Sequence, residues 1–400
     1  MSTPFLEEPN EPFRARRQAA RRRRTRRRRL ALSLVVLLAA AGFLAGALLG
    51  AEDDGEPVAS PQTTTTSKVA GASNRRVPRP LPDEVRGVHV TVALASIPGK
   101  IEEYLELPGL NTLEVDVKDE NGEIGFVPSS VPLAREIGAA KPYYAPRRVA
   151  RAVHRAGAYL IGRLVVFEDP LLSEKRPALA IRDSRGGVWR NHAGLGWANP
   201  YDKRVWDYNV AIGRAAARAG FDEIQFDYVR FPSDGPIENA VFPGARGRDP
   251  GWTIARFLQY ARKRLRPEGV RVSADVFGLS AARDLGVAQF PRRIARFVDA
   301  VYPMVYPSHY NAGEYGLASP VSIPGATVAR SLADFKKRMR GSKAELIPWL
   351  EDFSFTGDVS PEHVRAQITA ARRQGTRGYL LWNPFGEYTE AALAPQAGSE

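Results

Sequence analysis

The stretch that decides the fold is Ile224-Gln225-Phe226-Asp227-Tyr228-Val229-Arg230-Phe231-Pro232. A run of helical period, Asp202–Ala219, and the turn Gly220-Phe221-Asp222 precede it. Apolar residues fill this predicted strand, and its polar groups gather at the carboxyl end. In a barrel of parallel strands the active site is assembled at that end. We therefore expect Asp227 to take part in the chemistry of the protein.

From about residue 85 onward, short β-branched and aromatic runs alternate with longer runs of helical period. The predicted strands are Val85–Val92, Thr112–Lys118, Tyr159–Val166, Glu223–Tyr228, Val270–Phe277, Ala300–Tyr306, Glu345–Glu351 and Gly378–Trp382. The predicted helices include Pro146–Ala156, Asp202–Ala219, Trp252–Leu265, Pro291–Phe297, Thr327–Met339 and Pro361–Gln374. This α/β alternation predicts a (β/α)8 TIM barrel. A doubly wound open sheet is the alternative, weakened because no Gly-x-Gly-x-x-Gly follows the first strand.

Several predicted strand-to-helix connections are long, whereas the helix-to-strand connections are short. Long loops on one face are what a barrel enzyme uses to wall a cleft. The loop after the third strand, Phe167–Tyr201, is rich in aromatic and polar residues, including Trp197 and Asn199. We expect it to contribute rings that stack on sugars. The alternative is a hydrophobic plug that covers the top of the barrel.

The formal net charge of +13 is concentrated at the N-terminus. Residues 1–29 contain eleven arginines against three glutamates, which leaves a net charge of about +5 for the rest of the chain. The folded part is therefore only mildly basic, and the composition does not point to nucleic acid. We interpret residues 1–29 as a basic cytoplasmic tail.

An uncharged apolar run, residues 30–51, follows this tail directly. Its 22 residues match the thickness of a bilayer's hydrocarbon core, and arginines on its N-terminal side place that end in the cytoplasm. We expect a transmembrane anchor with the barrel outside the cytoplasm. A cleaved signal peptide is the alternative, since Ala45-Gly46-Ala47 fits a cleavage site; the protein would then be secreted. Residues 52–84 are acidic, threonine-rich and proline-rich and predict a disordered linker before a barrel over residues 85–400.

Charged and polar residues end most of the predicted strands, and charges inside apolar strands are costly unless they are paired or used. Asp227 and Asp275 fall on neighbouring strands at comparable depth. Neighbouring strands lie about 4.8 Å apart, so the two carboxyl groups could reach the separation of about 5–5.5 Å found in retaining glycosidases. A structural ion-pair network, for example between Asp227 and Arg163, is the alternative.

Metal and serine chemistry find little support in the sequence. The five histidines are scattered and form neither His-x-His nor His-Glu-x-x-His. No Gly-x-Ser-x-Gly elbow occurs either. We expect no metal and no cofactor.

Seven segments together resemble a family of bacterial glycoside hydrolase-like proteins with an α-amylase-like barrel, long labelled a domain of unknown function. These segments are Val85-Arg86-Gly87-Val88, Val115-Asp116-Val117-Lys118-Asp119, Arg163-Leu164-Val165-Val166-Phe167 with Asp169-Pro170, Phe226-Asp227-Tyr228-Val229-Arg230-Phe231-Pro232, Ser273-Ala274-Asp275-Val276-Phe277-Gly278, Pro303-Met304-Val305-Tyr306-Pro307-Ser308-His309-Tyr310 and Leu381-Trp382-Asn383-Pro384. The resemblance covers residues 84–395 and implies a glycoside hydrolase-like barrel. It says little about the substrate.

The resemblance also implies roles for individual carboxylates. In the α-amylase clan the aspartate that ends the fourth strand is the nucleophile, which corresponds to Asp227. The acid/base on the fifth strand would be Asp275, where the clan has glutamate, and the third carboxylate would be Glu351 or Asp352. The arginine that the clan carries two residues before its nucleophile is Gln225 in this chain.

We therefore expect a membrane-anchored, extracytoplasmic barrel that acts on a polysaccharide or oligosaccharide. The expected substrate-binding residues are Asp116, Arg163, Trp197, Asn199, Tyr228, Arg230, Tyr306, His309, Trp349, Trp382 and Asn383. A non-catalytic carbohydrate-binding barrel of the cell surface is the first rival. An exported barrel enzyme of other chemistry, such as polysaccharide deacetylation, is the second, disfavoured by the missing metal histidines. The sequence carries no signal of sugar, linkage, stereochemistry or oligomeric state.

Overall fold

The computed structural model describes residues 77–354 and 359–393. The predicted cytoplasmic tail, the apolar segment 30–51 and most of the predicted linker lie outside these residues. Within them, no helix has both the length and the apolar character needed to cross a membrane. Residues 81–84, the end of the predicted linker, pack on the barrel, since Leu81 is buried and the carbonyl of Pro82 accepts a hydrogen bond from Arg377. For these four residues the prediction of disorder does not hold.

Eight parallel strands close into a barrel. They are β1 (Val85–Val90), β2 (Thr112–Lys118), β3 (Tyr159–Val165), β4 (Glu223–Asp227), β5 (Arg271–Phe277), β6 (Ala300–Val305), β7 (Glu345–Leu346 and Trp349–Glu351) and β8 (Gly378–Trp382). Each strand pairs with the next along the chain, and β8 returns to pair with β1. The alternative of a doubly wound open sheet is thereby excluded, and the predicted barrel is confirmed.

The seventh strand differs from its prediction as one continuous element. Its first part pairs with β6, and its second part pairs with both β6 and β8. Pro348, which has no backbone N–H to donate, lies in the break between the two parts. The other strands end within two residues of the predicted bounds.

Helices surround the barrel and follow most of the strands. They are α1 (Val92–Ala95), α2 (Lys100–Leu105), α3 (Pro132–Glu136), α4 (Pro146–Arg155), α5 (Pro170–Lys175), α6 (Lys203–Ala219), α7 (Pro250–Leu265), α8 (Pro291–Ile294), α9 (Pro324–Arg338), α10 (Pro361–Arg373) and α11 (Glu390–Leu393). Proline stands at the first turn of seven of them, where its missing N–H has no intrahelical partner in any case. A two-stranded antiparallel ribbon, Arg182–Asp183 with Ala240–Val241, joins the loops after β3 and β4.

The inner face of the barrel changes from apolar to charged toward the carboxyl ends of the strands. Hydrogen bonds and ring contacts between strands that are not neighbours identify the inward side chains. Trp349 on β7 donates to Asp275 on β5, and the guanidinium of Arg163 on β3 lies 5.6 Å from the ring centre of Trp382 on β8. Such contacts can run only through the barrel interior, so these four side chains face its axis.

Closure between β8 and β1 depends on a glycine. Gly378 has a φ of +122°, and a Cβ atom there would overlap the backbone of Val85. We predict that Gly378→Ala lowers the free energy of unfolding by about 2–6 kcal/mol, because backbone strain and overpacking add. Gly341 is the matched control, since it has a φ of +81° but open space where a Cβ atom would lie. Its change to Ala should cost about 1–2 kcal/mol. Urea unfolding followed by circular dichroism measures both, and equal losses would contradict the role given to Gly378.

Candidate active site

Asp227 ends β4 with its carboxylate held on both oxygens. Arg163 donates to Oδ2 through Nε at 2.8 Å and lies 2.6 Å from it through Nη2. The backbone N–H of Tyr228 donates to Oδ1 at 2.6 Å. Tyr228 has a φ of +49°, a conformation that a non-glycine residue rarely adopts and that is often found at functional sites. The chain therefore turns sharply after Asp227, and the guanidinium of Arg163 orients its carboxylate.

Asp275 on β5 lies in a different environment. Its side chain is buried, and Oδ1 accepts a hydrogen bond of 2.8 Å from the indole N–H of Trp349. Burial, together with the nearby charge of Asp227, raises the pKa of Asp275 well above its usual value, although Trp349 and Arg163 act in the opposite direction. The same type of residue on two neighbouring strands thus has different partners: a guanidinium at Asp227, and a neutral indole N–H at Asp275.

Arg163 also belongs to a network of acidic and basic side chains on the inner face of β1 to β3. Its Nη1 lies 2.7 Å from Asp116 Oδ1 and 3.7 Å from Glu120 Oε2. The imidazole of His89 lies between Asp116, 3.7 Å away, and Glu114, to which its Nδ1 is hydrogen bonded. Burial is the main reason that the pKa of Glu114 is raised well above its usual value. The acidic and basic groups of β1 to β4 therefore form one network that ends at Asp227.

Three members of this network were missed by sequence reasoning: His89, Glu114 and Glu120. A signal for two of them existed in the strand alternation. His89 stands between Val88 and Val90, and Glu114 stands two residues before Asp116 in the same strand phase. A polar residue alternating with buried apolar ones, in phase with a known inward residue, predicts an inward side chain.

Aromatic rings form the opposite wall of the site. Trp382 lies 4.4 Å from the ring of His89 and 6.0 Å from that of Trp349. Tyr306 is buried beside the two aspartates, and burial followed by the charges of Asp275 and Asp227 raises the pKa of its hydroxyl well above the usual value. His309 lies 5.3 Å from the ring of Tyr306. Of the predicted substrate-binding residues, the structure thus brings together Asp116, Arg163, Tyr306, His309, Trp349 and Trp382. Trp349, however, uses its N–H to orient Asp275.

The two carboxylates predicted as the third catalytic acid hold loops. Glu351 accepts hydrogen bonds from the backbone N–H and the hydroxyl of Ser308 and lies 3.2 Å from His363. Asp352 accepts two from Thr389. Their hydrogen bonds thus run to the loop after β6, to His363 in α10 and to Thr389 after β8. The role of either residue as the third catalytic carboxylate stays a prediction.

The loop after β3 packs its aromatic and polar side chains into the protein, so that Trp197 and Asn199 are buried. The side chain of Trp197 has no exposed surface, so it does not stack on a sugar in this structure. The guanidinium of Arg230 lies 4.9, 5.0 and 4.8 Å from the ring centres of Trp197, Tyr228 and Phe277. Asn199 donates to the carbonyl of Pro243 and accepts from the N–H of Tyr201. In this structure Trp197, Asn199, Tyr228 and Arg230 are thus buried and make contacts within the protein, and their part in sugar binding stays a prediction.

Asn383 shapes the turn after β8. Its amide donates to the carbonyl of Asp352 and accepts from the N–H of Phe385.

The described residues contain no group of three or more histidine, aspartate or glutamate side chains arranged to hold a metal ion. The site consists of carboxylates, one guanidinium, one imidazole and aromatic rings.

The fold is a closed (β/α)8 barrel with two aspartates at the carboxyl ends of neighbouring strands. Residues 87–388 match the model of a family described as "putative glycosyl hydrolase domain". The chain belongs to this family, which confirms the resemblance found in the sequence and makes the protein a glycoside hydrolase by class.

Three solved structures are similar to this chain, two of them with TM-scores above 0.5. A hypothetical protein from Ruminiclostridium thermocellum ATCC 27405 is 39% identical over 47% of this chain and 97% of its own, with a TM-score of 0.44. The glycoside hydrolase domain of PgaB (BpsB) from Bordetella bronchiseptica gives a TM-score of 0.58 at 13% identity, over 78% of this chain and 100% of its own. An exo-β-N-acetylglucosaminidase from Vibrio harveyi gives 0.52 at 11% identity, over 79% and 55%. The last two likenesses concern the fold alone. No curated protein sequence matches the chain.

The raised pKa of Asp275 has a consequence for stability. Above about pH 4 an unfolded aspartate ionises while the folded one keeps its proton, so the wild type loses stability as pH rises toward the folded pKa. We predict that Asp275→Asn, which cannot ionise, is more stable than the wild type at pH 8 and that the gap closes toward pH 4. Each pKa unit corresponds to about 1.4 kcal/mol. Thermal unfolding across this pH range measures the gap, and parallel pH profiles for the two proteins would contradict the assignment.

Proposed function

We propose that the barrel hydrolyses O-glycosidic bonds of a polysaccharide or oligosaccharide, with Asp227 as nucleophile and Asp275 as acid/base. One observation carries the proposal: two aspartates on neighbouring strands face the same axis with different partners, a guanidinium for Asp227 and a neutral indole N–H for Asp275, whose pKa is raised by burial. Different environments are how a pair of carboxyl groups divides the roles of acid and nucleophile.

The steps follow from these two environments. The protonated Asp275 donates its proton to the glycosidic oxygen as the bond to the anomeric carbon breaks. The ionised Asp227 attacks that carbon and forms a glycosyl ester. Asp275, now a carboxylate, takes a proton from the water that hydrolyses the ester. Arg163 orients Asp227 through contacts of 2.8 and 2.6 Å to Oδ2. Trp349 keeps the proton-bearing carboxyl of Asp275 in one orientation.

We predict that Asp227→Asn abolishes hydrolysis while the barrel stays folded. Asn keeps the shape of the side chain but cannot attack an anomeric carbon. Arg163 retains Asp116 at 2.7 Å, so the loss of stability should be smaller than the roughly 3–5 kcal/mol expected when a buried charge loses its partner. The measurements are reducing-sugar release from a panel of bacterial wall and capsule glycans and the melting temperature.

Asp284→Asn is the matched control, because Asp284 is an exposed aspartate in the loop after β5, on the same face of the barrel. This variant should keep full activity. If Asp227→Asn hydrolysed the same glycan at the wild-type rate, the nucleophile would lie elsewhere. If the wild type bound a glycan without releasing reducing sugar, a non-catalytic binding barrel would replace this proposal.

We also propose that residues 30–51 anchor the protein in the membrane with the barrel outside the cytoplasm. The arginines of residues 1–29 followed by an uncharged apolar segment support this topology. Protease added to intact cells should remove the barrel from the full-length chain, whereas a cytoplasmic protein in the same cells should survive until lysis. A barrel that is degraded only after lysis would contradict the topology.

A further inference from the structure

One buried group beside the two aspartates takes no part in the steps above, the imidazole of His89. Its Nδ1 is hydrogen bonded to Glu114, and its Nε2 lies 3.7 Å from Asp116 Oδ2. All three side chains are buried inside the barrel. Buried polar groups are costly unless they are paired, so the position of this imidazole between two carboxylates needs a reason.

Contacts with residues of and after β8 hold His89 on both its backbone and its ring. The ladder between β1 and β8 runs only as far as Val88. Beyond it, the hydroxyl of Tyr388 accepts a hydrogen bond of 3.0 Å from the N–H of His89 and donates one of 2.6 Å to its carbonyl. The imidazole packs 4.4 Å from the ring of Trp382. The direction in which Nε2 points is therefore fixed by the surrounding structure.

The contact of His89 with Asp116 leads to the proposed nucleophile in two further contacts. Asp116 Oδ1 accepts a hydrogen bond of 2.7 Å from Nη1 of Arg163. The same guanidinium reaches Oδ2 of Asp227 through Nε at 2.8 Å and Nη2 at 2.6 Å. A guanidinium is a planar, rigid fork, so a shift of its Nη1 partner also moves the two N–H groups that hold Asp227.

The charges around the imidazole favour a hydrogen on Nε2. A lone pair on Nε2 would face the carboxylate of Asp116 and repel it, whereas an N–H there attracts it. Burial raises the pKa of Glu114 well above its usual value, although Arg163 acts in the opposite direction. A raised pKa favours a Glu114 that keeps a proton and shares it with Nδ1, and the imidazole then carries its own hydrogen on Nε2.

We propose that His89 is a positioning residue for Asp227. Its Nε2 holds Asp116, and Asp116 holds the guanidinium that orients the nucleophile. The effect on turnover rests on the proposed function, whereas the contact between His89 and Asp116 does not. A merely structural role would use the other nitrogen, because Nδ1 serves only to pair the buried Glu114. The two roles therefore predict opposite results for two similar substitutions.

The test compares His89→Gln with His89→Asn in the full-length chain, purified in a non-ionic detergent. The amide nitrogen of Gln reaches the place of Nε2, and that of Asn the place of Nδ1. His154→Asn is the matched control, because His154 lies 2.9 Å from a carboxylate, that of Asp222, but on α4 outside the barrel. The measurements are kcat and KM on whichever of glycol chitin, xylan, laminarin and pullulan the wild type cleaves, together with the melting temperature.

We expect His89→Asn to lower kcat by roughly 10- to 100-fold with little change in KM, since a reacting group misplaced by about 1 Å can lose about 100-fold. His89→Gln should keep most of the wild-type kcat, and His154→Asn all of it. Both His89 variants lose the ring that packs on Trp382, so that loss does not affect the comparison between them.

The reverse order, with His89→Asn active and His89→Gln impaired and less stable, would show that His89 only pairs Glu114 and would overturn the proposal. Equal losses of kcat in both variants, or a loss expressed in KM alone, would overturn it as well.

A second measurement requires no turnover. Urea unfolding of His89→Asn, Asp116→Asn and the double variant measures the coupling between the two residues. The loss of stability in the double variant should be smaller than the two single losses combined, because residues in contact are not independent. Additive losses would overturn the proposal. Coupling in a wild type that releases no reducing sugar would keep the contact between His89 and Asp116 and reject the catalytic proposal, together with the part of His89 in it.

Discussion

The burial of one guanidinium inside the barrel is the constraint on which the site depends. Arg163 is 3% exposed, and a buried charge without partners is destabilising by several kcal/mol. Its partners come from two neighbouring strands, Asp116 on β2 and Asp227 on β4. The strands on both sides of β3 are therefore joined by ionic hydrogen bonds at their carboxyl ends, where a barrel is otherwise free to open into loops. The interaction between Arg163 and Asp227 has two effects: it pairs the buried charge of Arg163, and it orients the carboxylate of Asp227.

Two aspartates with nearly equivalent places in the sheet have different surroundings. Asp227 has a guanidinium within hydrogen-bond distance, whereas Asp275 has a neutral indole N–H and the repulsion of Asp227. Because the interior is poorly solvated, these few neighbours outweigh what water would impose on an ordinary aspartate. Replacing Arg163 or Trp349, rather than either aspartate, is thus enough to change the chemical role that Asp227 or Asp275 can take.

The loops after β3 and β4 show that residue type alone does not decide whether a side chain is exposed to a ligand. Trp197 and Arg230 have the chemistry of sugar-binding residues, and their loops lie on the correct face. In the structure the guanidinium of Arg230 is enclosed by the rings of Trp197, Tyr228 and Phe277. The oxygens of Glu351 and Asp352 likewise accept hydrogen bonds from nearby N–H and hydroxyl groups.

The sequence by itself determined the barrel, because strand and helix periodicity, prolines at helix starts and glycines at helix ends are local signals that need no knowledge of distant residues. It also placed Asp227, Asp275 and Arg163 at the carboxyl ends of their strands. Only the tertiary structure decided which polar groups meet across the axis. His89 met Glu114 through the register of β1 against β2, and Trp349 on β7 became the partner of Asp275 on β5 through barrel closure. Neither of these leaves a periodic signal in the chain.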